Sequence, residues 1–419
     1  MVSAKWVSRS LVLASVTALF GLLAGCGGSS NSTPHGNGNN VQAIAVNGGP
    51  VANVLYANAA FTSVVVCVPG SSNCATVGGV LVDTGSVGLR LLASALPPGF
   101  SLPQATQNGN GLYNCVSFVD GSFLWGPLAT ADVKLAGEVA NGADVHIIQD
   151  PGFQIPTQCS NGGTDEDSLA GLGANGILGV GPEPEDCGGA CDPSEGGTPP
   201  PVYFTCGTTG NCQGAFVPVG QQVVQPVVLF PGDNNGVLIQ LPAVNGVAAS
   251  VSGAMIFGIG TQSNNQLGSA TVYTMDNFDN FTTNFNGAAL GSSFIDSGSN
   301  GLFFPDTAIP PCGAGSIAPG FYCPATLLNL SAQNVGSNGA QGTVNFSVDN
   351  AVNLFQSSNG AAAYSNLAGP NFGGSCTPQN QGACSFDWGL PFFYGRNVFT
   401  AIDGQGVPMG APAGPWWAY

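Results

Sequence analysis

Two aspartates end apolar strands that read almost alike, Val80-Leu81-Val82-Asp83-Thr84-Gly85-Ser86 and Ser293-Phe294-Ile295-Asp296-Ser297-Gly298-Ser299. A carboxylate at the end of a buried strand, followed by a small hydroxyl residue and a glycine, stands where the chain turns sharply. In so Gly- and Ser-rich a chain one Asp-Thr/Ser-Gly triplet arises by chance in roughly every second or third sequence, so a lone copy says little. Two copies 213 residues apart, each with an apolar run before it and a serine after it, point to a duplicated lobe. Brought face to face, two aspartates cannot both ionise, because like charges in a partly dry site repel, and the pair holds one proton. The charged member can then take a proton from a water while the protonated member donates to a carbonyl oxygen, a route to amide hydrolysis. Gly85 and Gly298 permit the close approach this needs. Thr84 and Ser297 can bond across, and Ser86 and Ser299 can orient the outer carboxylate oxygens. The blander reading has each aspartate capping a turn through local backbone N–H groups.

Other chemistries have less support. The only histidines are His35 and His146, and no Gly-x-Ser-x-Gly elbow occurs, which leaves a serine-hydrolase reading without parts. Without CxxC pairs a zinc site is a poor fit, and neither a metal nor a cofactor is expected. The Asp165-Glu166-Asp167 run lacks the spacing of a calcium loop and reads as a solvated loop, as do Asp276 and Asp279. The formal net charge is −17. Nucleic acid is excluded as a partner by that sign. A bland soluble surface and adaptation to acid both fit it.

The elements that must position the aspartates are strands. Charged residues make up only 6% of the chain, while its 64 glycines and 30 prolines punctuate short Val-, Thr- and Phe-rich runs, a mainly β pattern with frequent turns. Phe61 to Val68, a Pro-Gly-Ser turn and Cys74 to Val82 form a hairpin whose second strand delivers Asp83. Val116 to Gly126 reads as a projecting hairpin around Asp120-Gly121, and Asn175 to Gly181 as a short buried strand. Residues 182–201 read as a surface insertion. Phe118 and Trp125 fit a core role as well as a cleft-lining one. The expected division is 1–25 leader, 26–45 flexible tether, 46–225 first lobe and 226–419 second lobe.

Lys5 and Arg9 followed by the apolar run Leu11 to Leu23 fit an export signal. Its end, Leu23-Ala24-Gly25-Cys26, looks like a bacterial lipoprotein cleavage box, which makes Cys26 the lipidated first residue. Gly27 after it resembles the signal for outer-membrane sorting, so the expected location is the bacterial cell envelope. Twelve further cysteines in an exported chain suit six disulfides. Near neighbours are Cys67 with Cys74, Cys187 with Cys191, Cys206 with Cys212, Cys312 with Cys323, and Cys376 with Cys384. Cys115 and Cys159 remain to pair by default, although spacing alone does not prove connectivity.

Taken together these residues resemble the bilobal pepsin-like aspartic peptidases over most of the chain after the leader. The two Asp-Thr/Ser-Gly-Ser stretches match the family's catalytic loops, and Phe118-Val119-Asp120-Gly121-Ser122 resembles its flap tip. Ile177-Leu178-Gly179 is similar to the segment that buttresses the first loop. The resemblance implies an all-β, two-lobed acid-protease fold with a cleft between lobes, a monomer, a peptide or protein substrate, and Asp83 and Asp296 as catalysts. Phe118 stands where the flap tyrosine is expected, Arg90 replaces the tryptophan that usually bonds to it, and Pro391 falls where the second buttressing glycine is expected. The chain is also similar to lipid-anchored proteobacterial proteins of unknown function. The alternative is therefore a catalytically silent protein of the same fold that binds a protein or peptide partner.

Overall fold

The computed structural model describes residues 39–52, 56–149, 154–207, 210–358, 360–371, 384–408 and 410–419. The leader, Cys26, His35 and Cys376 lie outside these residues. Strands dominate, and the longest helix among the described residues is the seven-residue Ala351–Ser357. A 16-stranded sheet runs through both halves of the chain, and a seven-stranded sheet belongs to the second half.

In the first half Ala60–Cys67 pairs antiparallel with Cys74–Asp83. Gly176–Val180 then lies parallel to the strand that delivers Asp83, with Asp83 opposite Gly179. The same short strand pairs antiparallel with Val87–Leu92, which carries the chain away. Both Gly176–Val180 and Val87–Leu92 are buried along their whole length, which explains why they are apolar throughout except at Arg90. The second half repeats the plan. Ala288–Ile295 delivers Asp296, Asp387–Trp388 runs parallel to it, and Leu302–Phe303 pairs antiparallel with that short strand. Each aspartate is thus held where an incoming strand, an outgoing strand and a wedged third strand converge.

Val41–Val46 joins the halves. It pairs with Val251–Phe257 on one side and reaches Ala60 and Phe61 on the other. This corrects the tether, expected to run to residue 45: Ile44 and Val46 are buried, and the Asn40 side chain donates to the Phe257 carbonyl at 2.8 Å. A two-residue apolar alternation behind a Gly/Asn run is too short to signal a strand, and only its partners make it one.

Five disulfides join Cys67–Cys74, Cys115–Cys159, Cys187–Cys191, Cys206–Cys212 and Cys312–Cys323. Cys384 is also disulfide-bonded. The aromatic residues of the second half close its core, with Phe386 stacked on Trp388 at 3.9 Å between ring centroids.

Candidate active site

Asp83 and Asp296 are both fully buried, and their carboxyl groups are hydrogen-bonded to one another. Each has the same two local donors. Gly85 N–H donates to Asp83 Oδ1 at 2.8 Å and Ser86 Oγ to Oδ2. Gly298 N–H donates to Asp296 Oδ1 at 2.7 Å and Ser299 Oγ to Oδ2 at 3.0 Å. The loops also lock across the pair. Ser297 N–H donates to the Thr84 hydroxyl at 2.8 Å, and Thr84 N–H to the Ser297 hydroxyl at 3.1 Å. Those hydroxyls pass their own protons to the carbonyls of Ile295, at 3.2 Å, and Val82, at 2.9 Å. A Cβ on Gly85 would lie 2.6 Å from the Asp296 carboxyl carbon, and one on Gly298 would lie 2.5 Å from an Asp83 oxygen, so any side chain there would part the dyad.

Burial holds the Asp83 carboxyl well above the usual carboxylate range, and the charge and hydrogen bond of Asp296 push the same way. The bonds from Ser86 and Gly85 oppose this and do not overcome it. Such a pair keeps one proton between two carboxyls, which makes one an acid and the other a base at the same pH. Among the described residues no group of three or more His, Cys, Asp or Glu side chains could hold a metal ion.

The register revises the reading of Pro391. Ile295 lies opposite Trp388, so Asp296 aligns with Gly389 just as Asp83 aligns with Gly179. The second buttressing glycine is therefore present at 389, where a Cβ would lie 2.1 Å from the Gly301 carbonyl oxygen. Pro391 instead matches Gly181, whose N–H donates to the Ser86 carbonyl at 2.9 Å. Proline has no such donor, and Leu390 N–H supplies the equivalent bond to the Ser299 carbonyl at 2.8 Å.

Several residues of the site were not visible in the sequence. Asp387, fully buried, receives the Ser299 hydroxyl at 2.7 Å, the same hydroxyl that lies 3.0 Å from Asp296. One hydroxyl has one proton, so Ser299 links the protonation of Asp296 to that of Asp387. Asn58, in the first half, donates to the carbonyls of Asn300 and Tyr364 at 2.8 and 2.9 Å in the second.

The hairpin of Asn110–Ser117 and Phe123–Leu135 carries the expected flap residues at its tip. Phe118 N–H donates to the Ser122 carbonyl at 2.8 Å, Asp120 Oδ1 accepts from the Ser122 hydroxyl at 2.7 Å, and Gly121 takes a positive φ of 88°. Phe118 itself is 5% exposed and packs in a cluster with Tyr56, Leu124, Leu172 and Ile177. It does not line the cavity of about 370 Å³ that opens beside Thr84 to Val87. Trp125 is likewise core, stacked on Tyr113.

Arg90 does not replace a contact to the flap tip. Fully buried, it donates to Asn114 Oδ1 at 2.6 Å and to Asp186 Oδ2 at 3.0 Å, and its Nη1 lies 3.0 Å from His146 Nδ1. Tyr203 completes the group by donating to Asp186. Burial, and then the Arg90 charge, hold the His146 imidazole well below its ordinary value, so it stays neutral. This network fastens the flap strand, through Asn114, to the strand behind Asp83. It also anchors the 182–201 insertion, which the sequence presents as a free surface loop. Within the Asp165–Asp167 run, Glu166 departs from the solvated reading while Asp165 is exposed. Glu166 is 4% exposed, and its carboxyl is pushed up to about 8 by burial and the Asp120 charge at the hairpin tip.

Sheet layout and paired loops define an all-β protein of the pepsin-like, two-lobed class. A solved structure, the aspartic proteinase from Irpex lacteus, is similar to this chain with a TM-score of 0.50 at 17% identity, over 90% of this chain and 96% of that one. At that identity the likeness speaks for the fold alone. The chain belongs to the family described as "Protein of unknown function (DUF3443)", whose model matches residues 36–419. No curated protein sequence matches it.

Proposed function

We propose that this chain is an aspartic-type endopeptidase. The observation that carries this reading is the hydrogen-bonded pair Asp83–Asp296, held by two loops with matching donors and a reciprocal Thr84–Ser297 lock. A water placed between the carboxyls loses its proton to the ionised member and attacks the peptide carbonyl. The protonated member donates to the carbonyl oxygen, and the pair then returns the proton to the leaving amine. Ser86 and Ser299 hold the outer oxygens, so the inner ones face the water. The substrate is an extended segment of a peptide or unfolded protein. Lipidation at Cys26 tethers the enzyme to the bacterial cell envelope, at the outer membrane, as a monomer.

The test is incubation of the purified chain, without its leader, with an unfolded protein at about pH 3 to 7, with and without pepstatin, beside Asp83→Asn and Asp296→Asn. Cleavage that pepstatin blocks and both substitutions abolish supports the reading. Binding without cleavage at any pH would support the silent binding protein instead.

A further inference from the structure

The cavity of about 370 Å³ beside the dyad draws its walls from both halves of the chain, Thr84 to Val87 from the first loop and Phe294 and Ile295 from the strand leading to the second. Glu183, Glu185 and Asp279 line it, and no lysine or arginine does. Asp186, also in the wall, is already paired with Arg90 at 3.0 Å. Glu183 and Asp279 come from opposite halves and are hydrogen-bonded to one another. Burial pushes the Glu183 carboxyl up to about 8, and Asp279, Asp403 and Glu185 add to the effect. At neutral pH the two carboxyls therefore keep a proton and carry negative charge that no basic residue of the wall offsets.

Trp417 lines the cavity at 2% exposure, and its indole N–H has no hydrogen-bond partner among the described residues. Val87, Pro182, Phe294 and Ile295 give the wall an apolar part beside the polar Thr84, Ser86 and Asn280, and Phe278, also in the wall, is 79% exposed.

We propose that this cavity is a specificity subsite that takes a lysine or arginine side chain of the bound peptide. The cationic head sits on the Glu183–Asp279 carboxyls, and the aliphatic stem lies against Phe278 and Pro182. A long side chain with an apolar stem and a charged tip matches a cavity whose wall is partly apolar and carries an acidic pair. The inference rests on the peptidase reading for its placement beside the scissile bond, yet it concerns which peptide is held.

The experiment separates the two. Peptides identical except for lysine, arginine, norleucine or glutamate, moved through each position of the sequence in turn, are measured for binding to Asp296→Asn and for cleavage by the unaltered protein. Lysine and arginine at one position should bind at least about tenfold more tightly than norleucine or glutamate, as a charge-assisted contact implies. Glu183→Gln combined with Asp279→Asn should bring lysine and norleucine within roughly twofold while norleucine binding holds, since only the charged contact is removed. Preference in binding without any cleavage upholds the subsite and sinks the peptidase reading. Cleavage with no basic preference at any position overturns the subsite alone, and neither binding nor cleavage overturns both. The peptide series in the unaltered protein decides the matter even where the double variant fails to fold.

Discussion

Thr84→Val tests whether the two loops act as one lock. The change keeps the shape of the side chain and removes a hydroxyl that accepts from Ser297 N–H at 2.8 Å and donates to the Ile295 carbonyl at 3.2 Å. Thr84 is buried, so water does not replace it. Each buried polar group left without its partner costs about 1–3 kcal/mol, which for the two groups puts the loss on the order of 2–6 kcal/mol. Against a total stability of about 5–15 kcal/mol that is a large displacement. It is read as a lower midpoint at unchanged slope in guanidinium denaturation with the disulfides intact. Thr84→Ser keeps the hydroxyl and should lose only about 1 kcal/mol for the methyl group. Ser297→Ala removes the reciprocal hydroxyl, so the double variant should lose less than the sum of the two single losses. A loss in Thr84→Val under about 0.5 kcal/mol, or strict additivity in the cycle, would refute a coupled lock.

Stability should fall with rising pH. Glu166 and Glu183 are each raised to about 8 from an ordinary 4.5, and Asp167 to about 7 from 3.8. The folded chain therefore binds more protons than the unfolded chain between about pH 4 and 8, so this stability is fully present below that window and lost through it. Thermal denaturation should give a lower Tm at about pH 8 than at about pH 5, and a Tm that rises over the interval contradicts the buried-carboxyl account. Paired Cys115→Ser and Cys159→Ser, which open a link spanning 44 residues, should cost about 4 kcal/mol by loop entropy, checked by denaturant midpoint. Asp387→Leu removes the second acceptor of the Ser299 hydroxyl and leaves that proton to Asp296, which favours its ionised form, so the acid limb of any hydrolysis profile should move to lower pH; an unmoved limb denies the link.

The parts of the fold that were legible are local in sequence. Asp83 and Asp296 show in the chain because strand, turn glycine and hydroxyls sit within seven residues, and the hairpin behind Asp83 shows because Cys67 and Cys74 flank its turn. The all-β class follows from the same punctuation by glycine and proline. The second buttress was misplaced because its strand is only Asp387–Trp388, and a carboxylate in a fully buried strand does not look like one. Arg90 and Asp186 stand 96 residues apart, and nothing near either says that they pair. Glu166 reads as solvated beside Asp165 and Asp167 until strand Phe123–Leu135 closes over it, through the bond from Glu166 N–H to the Phe123 carbonyl at 3.1 Å. Tertiary contacts decide each of these cases, and local pattern carries no trace of them.

Catalysis by the Asp83–Asp296 pair is decided by the rate of hydrolysis of an unfolded protein as a function of pH in the unaltered chain, Asp83→Asn and Asp296→Asn. A shared dyad gives a profile with two apparent pKa values that belong to the pair, and a loss of at least about 10²–10⁴-fold in each variant, since either substitution removes the shared acid and base. Hydrolysis that persists in both variants, or no hydrolysis by the unaltered chain anywhere between about pH 3 and 8, contradicts it.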